Sequence, residues 1–184
     1  MPAALLLMDF QVGVVAGFPG STQAVEAART ALDGARRHGV PVVFVRVGFR
    51  EGAPEASPRN KAFSALAERT DMGERDPGTQ VVGELEPRPD EVVVVKRRVS
   101  AFTGSDLEVV LRAAAIDHLV LSGIATSGVV LSTLREAADR DYRLTVLADA
   151  CLDRDDEVHR VLTETVFPRQ ADVVTVDEWV TSLG

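Results

Sequence analysis

Three polar loci stand directly after apolar runs, and their residue types are those of acid–base and anion chemistry. Leu5-Leu6-Leu7-Met8 runs into Asp9, Val92–Val95 into Lys96, and Leu119-Val120-Leu121 into Ser122-Gly123-Ile124-Ala125-Thr126-Ser127-Gly128. A carboxylate can give or take a proton, and an ammonium can balance that carboxylate or hold an anion. The Gly123–Gly128 turn leads into a helical pattern, so its free N–H groups can receive an anion or a developing oxyanion. Each locus also has an ordinary structural explanation. Charge pairs are common at strand ends, and every strand-to-helix loop presents N–H groups.

The elements that position these loci follow from hydrophobic spacing. Six short aliphatic segments recur: Leu5–Met8, Val42–Val47, Val92–Val95, Leu119–Leu121, Leu144–Leu147 and Val173–Val176. They are continuous rather than alternating, as strands buried on both faces are. Between them lie helical patterns. Ser21 is placed to cap a helix with the stripe Val25, Ala28, Leu32 and Ala35, ending at Arg36, Arg37 and Gly39. Thr103-x-x-Asp106 precedes Leu107, Val110, Leu111 and Ala114; Thr126 to Arg140 reads as a third helix with Thr126 as its cap. Asp155 to Val166 reads as a fourth, with Val158, Val161 and Leu162 inward.

Strands alternating with helices predict a three-layer α/β/α sandwich around a mostly parallel six-stranded sheet, one Rossmann-like domain over residues 1–184. Ligands of such sheets bind outside the carboxyl ends of the strands, where Asp9, Lys96 and the Gly123–Gly128 turn converge. One irregular excursion, Gly48 to Pro89, carries Pro54, Pro58, Pro77, Pro87 and a short helical pattern near Lys61–Arg69. A stretch of that length is expected to be a lid or a subunit contact.

Composition narrows the partners. The 184 residues carry a net charge of −8, against the basic face that nucleic-acid binding needs. Apolar runs of four to six residues are far below the ~20 of a membrane helix. The first residues lack a basic segment and reach Asp9 quickly, so they read as a strand and not a secretory signal, and a cytoplasmic protein is expected. Cys151 is the sole cysteine, and His38, His118 and His159 are widely spaced, so neither a metal nor another cofactor is expected.

Read in order, Leu6-Leu7-Met8-Asp9-Phe10-Gln11, Val93-Val94-Val95-Lys96 with Ser100-Ala101-Phe102, Leu119 to Thr126, and Asp149-Ala150-Cys151 resemble the isochorismatase-like hydrolases. This cysteine-hydrolase superfamily includes nicotinamidases and carbamoyl-amide hydrolases. The resemblance implies a homo-oligomer (dimer or tetramer), a small-molecule substrate, and catalysis by an Asp, a Lys and a Cys. Asp9 takes the first role and Lys96 the second. Substrate contacts are then expected from Phe10 and Gln11, from Phe102, and from Gly123, Ile124, Ala125, Thr126 and Ser127. The family's Gly-x-x-Thr-x-x-Cys reads here Gly123-Ile124-Ala125-Thr126-Ser127-Gly128-Val129, so Val129 holds the nucleophile position.

An isopropyl group cannot attack a carbonyl, and that departure removes the thiol route at this position. Cys151 reads as a buried structural thiol, and Ser127 or Ser132 as a hydroxyl that needs a well-aligned base. The isochorismatases proper cleave a vinyl ether without a protein nucleophile, and the resemblance assigns Asp9 the general acid. Lys96 beside it favours the carboxylate, whereas burial near Phe10 and Phe102 favours the acid. Lys96 can alternatively hold a substrate carboxylate, and Arg46, Arg50 and Arg97 are further candidates for an anionic substrate. The metal-binding members carry histidines after the second strand, where this chain reads Val47-Gly48-Phe49-Arg50. Three readings stay open: a hydrolase working through Asp9, a non-catalytic binding or regulatory protein, and an amidase using Ser127 or Cys151.

Overall fold

Continuous aliphatic segments bury both faces of a strand, and all six form one sheet. The computed structural model describes residues 2–69 and 72–184. The strands are β1 (Ala3–Met8), β2 (Val42–Val47), β3 (Val92–Lys96), β4 (His118–Ile124), β5 (Arg143–Leu152) and β6 (Asp172–Val174). They lie in the order β3-β2-β1-β4-β5-β6, and every pairing is parallel. The chain winds outward one way from β1 and the other way from β4, so the switch point falls between them.

Alternation along β1 sorts its residues into two cores. Ala4, Leu6 and Met8 join the core under α4 (Leu107–Ala113) and α5 (Leu131–Asp139), with Leu107, Leu111, Val130 and Leu134. Leu5 and Leu7 join the opposite core, under α2 (Ser21–His38) and α7 (Val176–Ser182), with Val25, Leu32 and Trp179. The result is the expected α/β/α arrangement. Burying each such leucine is worth about 1.5–3 kcal/mol, so a one-residue slip that exchanged the faces would be strongly disfavoured.

Several element ends differ from the sequence reading. The N-cap of α2 is Gly20, and Ser21 instead donates through Oγ to Val15 O. Its far end is as expected, closed by Gly39 in the left-handed region at φ 67°. Thr103 does not cap α4; its hydroxyl donates to Glu136, and Asp106 occupies the cap without a side-chain bond. The span read as one helix from Thr126 is a π-helical turn, Thr126–Val130, kinked at Gly128 before α5. In α6 (Asp156–Val161) Val158 and Val161 face solvent, and only Leu162 of the three turns inward.

Two short helices went unread, α1 (Val12–Val15) and α7. For α7 the signal was available: Thr175 and Glu178 form a reciprocal capping box, which ends β6 at Val174 and not at Val176. The excursion after β2 carries α3 (Lys61–Ala67) and its own small cluster of Val47, Phe49, Phe63 and Met72. Residues 70 and 71 of that excursion lie outside the described residues. Among the described residues, no helix is long and apolar enough to cross a membrane.

Candidate active site

Asp9 leaves β1 with φ 59°, a left-handed conformation that Asp tolerates better than most non-glycine residues. Its N–H still donates to Val45 O at 2.8 Å, so the turn begins only after the last strand bond. Lys96 is the final residue of β3 and lies opposite Val47 in the register. Its Nζ stands 2.9 Å from Asp9 Oδ2 and donates at 3.0 Å to Arg98 O and to Val99 O. An ammonium has three protons, and these partners take all three. Lys96 is therefore saturated as an orienting group, and a substrate carboxylate would have to displace one of them.

Burial decides the tension at Asp9. The side chain is almost wholly enclosed, and desolvation pushes its carboxyl above the ordinary range, although the Lys96 charge and hydrogen bond pull it down. Only Oδ2 is engaged. Oδ1 is buried with no hydrogen-bond partner among the described residues.

The turn after β4 reaches the same edge of the sheet. Gly123 lies opposite Met8, and an added Cβ there would come within 2.6 Å of Met8 O, so the strands meet this closely only with glycine. The Ile124–Ala125 peptide is cis. Thr126 does not cap the helix: Ala125 holds that position, and the Thr126 hydroxyl pairs with His159 Nδ1 at 2.8 Å. Ser127 is exposed, and its N–H donates to Asp153 Oδ2 at 2.7 Å. Val129 is buried in the core that also holds Met8 and Phe102. Sequence reasoning missed His159 and Asp153, which act from α6 and from the residue just after β5 across long separations. No local pattern marked them.

The remaining candidates divide. Phe10 packs in the core beneath α2, whereas Phe102 packs in the opposite one, stacked under the Arg140 guanidinium at 4.8 Å. The structure does not bring these two rings together. Gln11 is 1% exposed and spends its amide on the backbone, donating to Val47 O and Thr79 O and accepting from Val47 N. It clamps the excursion to β2, which leaves little of it for a substrate.

Arg97 is bound by Glu74, Glu55 and Gly48 O, while Arg46 donates to Glu74 O and Arg50 pairs with Glu55 at 3.5 Å. Of the three arginines proposed for anion recognition, Arg46 and Arg97 instead fasten the excursion to the sheet edge, and Arg50 pairs within the excursion. Cys151 lies opposite Gly123 in β5, and burial pushes its thiol up to about 12. Such a thiol stays protonated and inert.

A cavity of about 190 Å³ opens beside this centre, lined by Gln11, Val14, Phe18, Val47, Leu66, Met72 and Arg154 among others. Gln11 follows Asp9 by two positions, and Val47 is the register partner of Lys96. A larger depression of about 710 Å³ is walled by the excursion, from Phe49 to Asp76, and touches neither Asp9 nor Lys96. Asp9 and Lys96 do not line the smaller cavity either, but it adjoins their elements through Gln11 and Val47.

Residues 3–178 match the isochorismatase domain. The chain belongs to the isochorismatase family. It is 33% identical to the uncharacterised isochorismatase family protein YwoC of Bacillus subtilis, covering 96% of this chain and 92% of that one. It is 35% identical to the ureidoacrylate amidohydrolase RutB of Stutzerimonas stutzeri, covering 98% and 79%. Among solved structures, an isochorismatase family protein from Burkholderia thailandensis superposes with a TM-score of 0.88 at 28% identity, over 99% of this chain and 95% of that one. N-carbamoylsarcosine amidase from Thermoplasma acidophilum gives 0.81 at 30% identity, over 96% and 98%. Isochorismatase family members are hydrolases, and this chain has their fold from end to end.

Proposed function

We propose that this isochorismatase family protein hydrolyses a small vinyl ether by acid–base chemistry at Asp9, without a protein nucleophile. The observation that carries the reading is the state of Asp9: a carboxyl raised by burial, oriented through Oδ2 by a saturated Lys96, with Oδ1 unengaged.

The steps balance as a hydrolysis. Asp9 transfers its proton to the terminal vinylic carbon, whose π electrons form the new C–H bond and leave an oxocarbenium ion. The resulting carboxylate faces that cation and stabilises it. Water adds to the cationic carbon, and its proton returns to Asp9. The hemiketal then collapses: its hydroxyl proton passes to the leaving ether oxygen as the C–O bond breaks, and a ketone and an alcohol leave. For an enolpyruvyl ether the ketone is pyruvate.

The test is pyruvate release from isochorismate by the wild-type protein, Asp9→Asn and Asp9→Ala. Loss of a general acid typically costs 10²–10⁴-fold, and Asn keeps the shape if Ala fails to fold. Wild-type turnover that survives in Asp9→Asn, or no wild-type turnover at all, sinks the reading.

A second reading is a non-catalytic binding protein that keeps the pocket. The buried Val129 at the family's nucleophile position favours it. Ligand-induced thermal shifts without turnover of amides, esters or vinyl ethers would decide for it. The relatives named as an amidohydrolase and an amidase suggest amide substrates. Against amide cleavage here stand Val129, the protonated Cys151 thiol, and a His159 Nδ1 that is paired with Thr126 and not with Ser127.

A further inference from the structure

The three arginines that sequence marked for anion recognition all pair with groups of the excursion, yet the cavity beside the Asp9 turn is lined by two further arginines, Arg69 and Arg154. Arg154 lines it, and its guanidinium lies 4.7 Å over the Phe18 ring. Its Nη2 also passes Gly17, where an added Cβ would sit 3.6 Å away. Among the described residues no carboxylate pairs with this side chain, unlike Arg97, Arg36 or Arg160. Arg69 and Gln11 also line the cavity, and the remaining side chains of its wall are apolar: Val14, Val47, Leu66 and Met72.

The backbone of Arg154 is fixed to the chemistry. Asp153 accepts from Arg154 N–H through Oδ1 at 2.8 Å and from Ser127 N–H through Oδ2 at 2.7 Å. One carboxylate thus ties the arginine to the turn that carries the Val129 position. A guanidinium held over an aromatic face keeps N–H groups for paired hydrogen bonds to a carboxylate.

We propose that Arg154 is the specificity-determining residue of the site and selects a compact substrate carrying a carboxylate beside a flat, unsaturated or aromatic face. The carboxylate meets the guanidinium edge, and the flat face lies against Phe18 and Val14. The proposal deepens the reading of the Asp9 site as catalytic and rests on it for the substrate's reacting end. Recognition of the carboxylate is measurable without turnover.

Benzoate serves as the probe, and neutral benzamide as its control, in titration calorimetry on the whole chain. The wild-type protein is expected to bind benzoate. Arg154→Met is expected to weaken that binding about ten- to a hundredfold, as loss of a charge-assisted hydrogen bond implies, while benzamide binding changes little. Arg154→Lys keeps the charge but loses the fork, and lies between. With isochorismate, Arg154→Lys is expected to raise KM about tenfold and leave kcat within about twofold. Equal benzoate affinity in wild type and Arg154→Met, or no benzoate binding by the wild type, overturns the proposal. Absence of vinyl-ether turnover in a protein that binds benzoate through Arg154 overturns only the Asp9 reading.

Discussion

Lys96 Nζ stands 2.9 Å from Asp9 Oδ2 while Asp9 Oδ1 stays buried and unpartnered. One oxygen of the carboxyl is thereby held in place and the other is left for a reacting atom. Burial outweighs the lysine, so the folded protein favours the protonated acid more than the unfolded chain does.

That raised carboxyl predicts a pH dependence of stability with a definite sign. The contribution is fully present below the unfolded value near ~3.9 and is lost as pH rises through the folded one. Asp9→Asn cannot ionise, so its Tm relative to wild type should climb as pH rises above about 4. Paired thermal melts across that range check it, and a difference that falls with pH contradicts it. If the protonated form is the active one, kcat/KM falls over the same window as pH increases.

Val129 predicts a gain of function. Val129→Cys restores the family's thiol position at a cost below about 1.5 kcal/mol, since only a small volume is lost from the core. The variant is expected to gain hydrolysis of ureidoacrylate or N-carbamoylsarcosine, abolished by iodoacetamide. Wild-type protein should do neither. A Val129→Cys variant that folds, yet shows no amide hydrolysis and no alkylation at residue 129, shows that the turn no longer offers this position to solvent or substrate.

Cys151 should be silent. With its thiol pushed up to about 12, roughly one molecule in ten thousand is thiolate at pH 8. Labelling by a thiol reagent should therefore be slow in the folded protein and prompt in urea. Prompt labelling without denaturant would show that the residue is accessible and acidic.

Asp153 joins two segments through backbone N–H groups, and its loss leaves both without that acceptor. Asp153→Ala should destabilise the fold by about 1–3 kcal/mol, and Asp153→Asn by less, because one carbonyl oxygen remains. Urea denaturation midpoints measure this. If Arg154 is positioned through Asp153, the benzoate affinity should fall in Asp153→Ala at temperatures where the variant is fully folded.

The sheet was legible because its signal is local. Continuous aliphatic runs of strand length, separated by helical stripes, have few ways to bury themselves other than a covered parallel sheet, and polar residues just after the runs must gather at its carboxyl edge. Asp9, Lys96 and the Gly123–Gly128 turn followed from that alone, and the chain order of their motifs identified the family. Helix ends were less legible. Ser21, Thr103 and Thr126 each suit a cap by type, but their hydroxyls found Val15 O, Glu136 and His159 instead.

What only the tertiary structure decided is which charges are spent and which are free. Ser127 and Asp153 are 26 positions apart, and Thr126 and His159 are 33 apart. Nothing in the spacing of such pairs announces contact. Arg46, Arg50 and Arg97 stood as candidate anion binders, yet Glu55 and Glu74 of the folded excursion pair with them. Arg154 carried no mark in the sequence. It became a candidate when the fold set it over Phe18 in the cavity beside Asp9, since a guanidinium's role depends on whether a carboxylate is within reach, and that is a property of three dimensions.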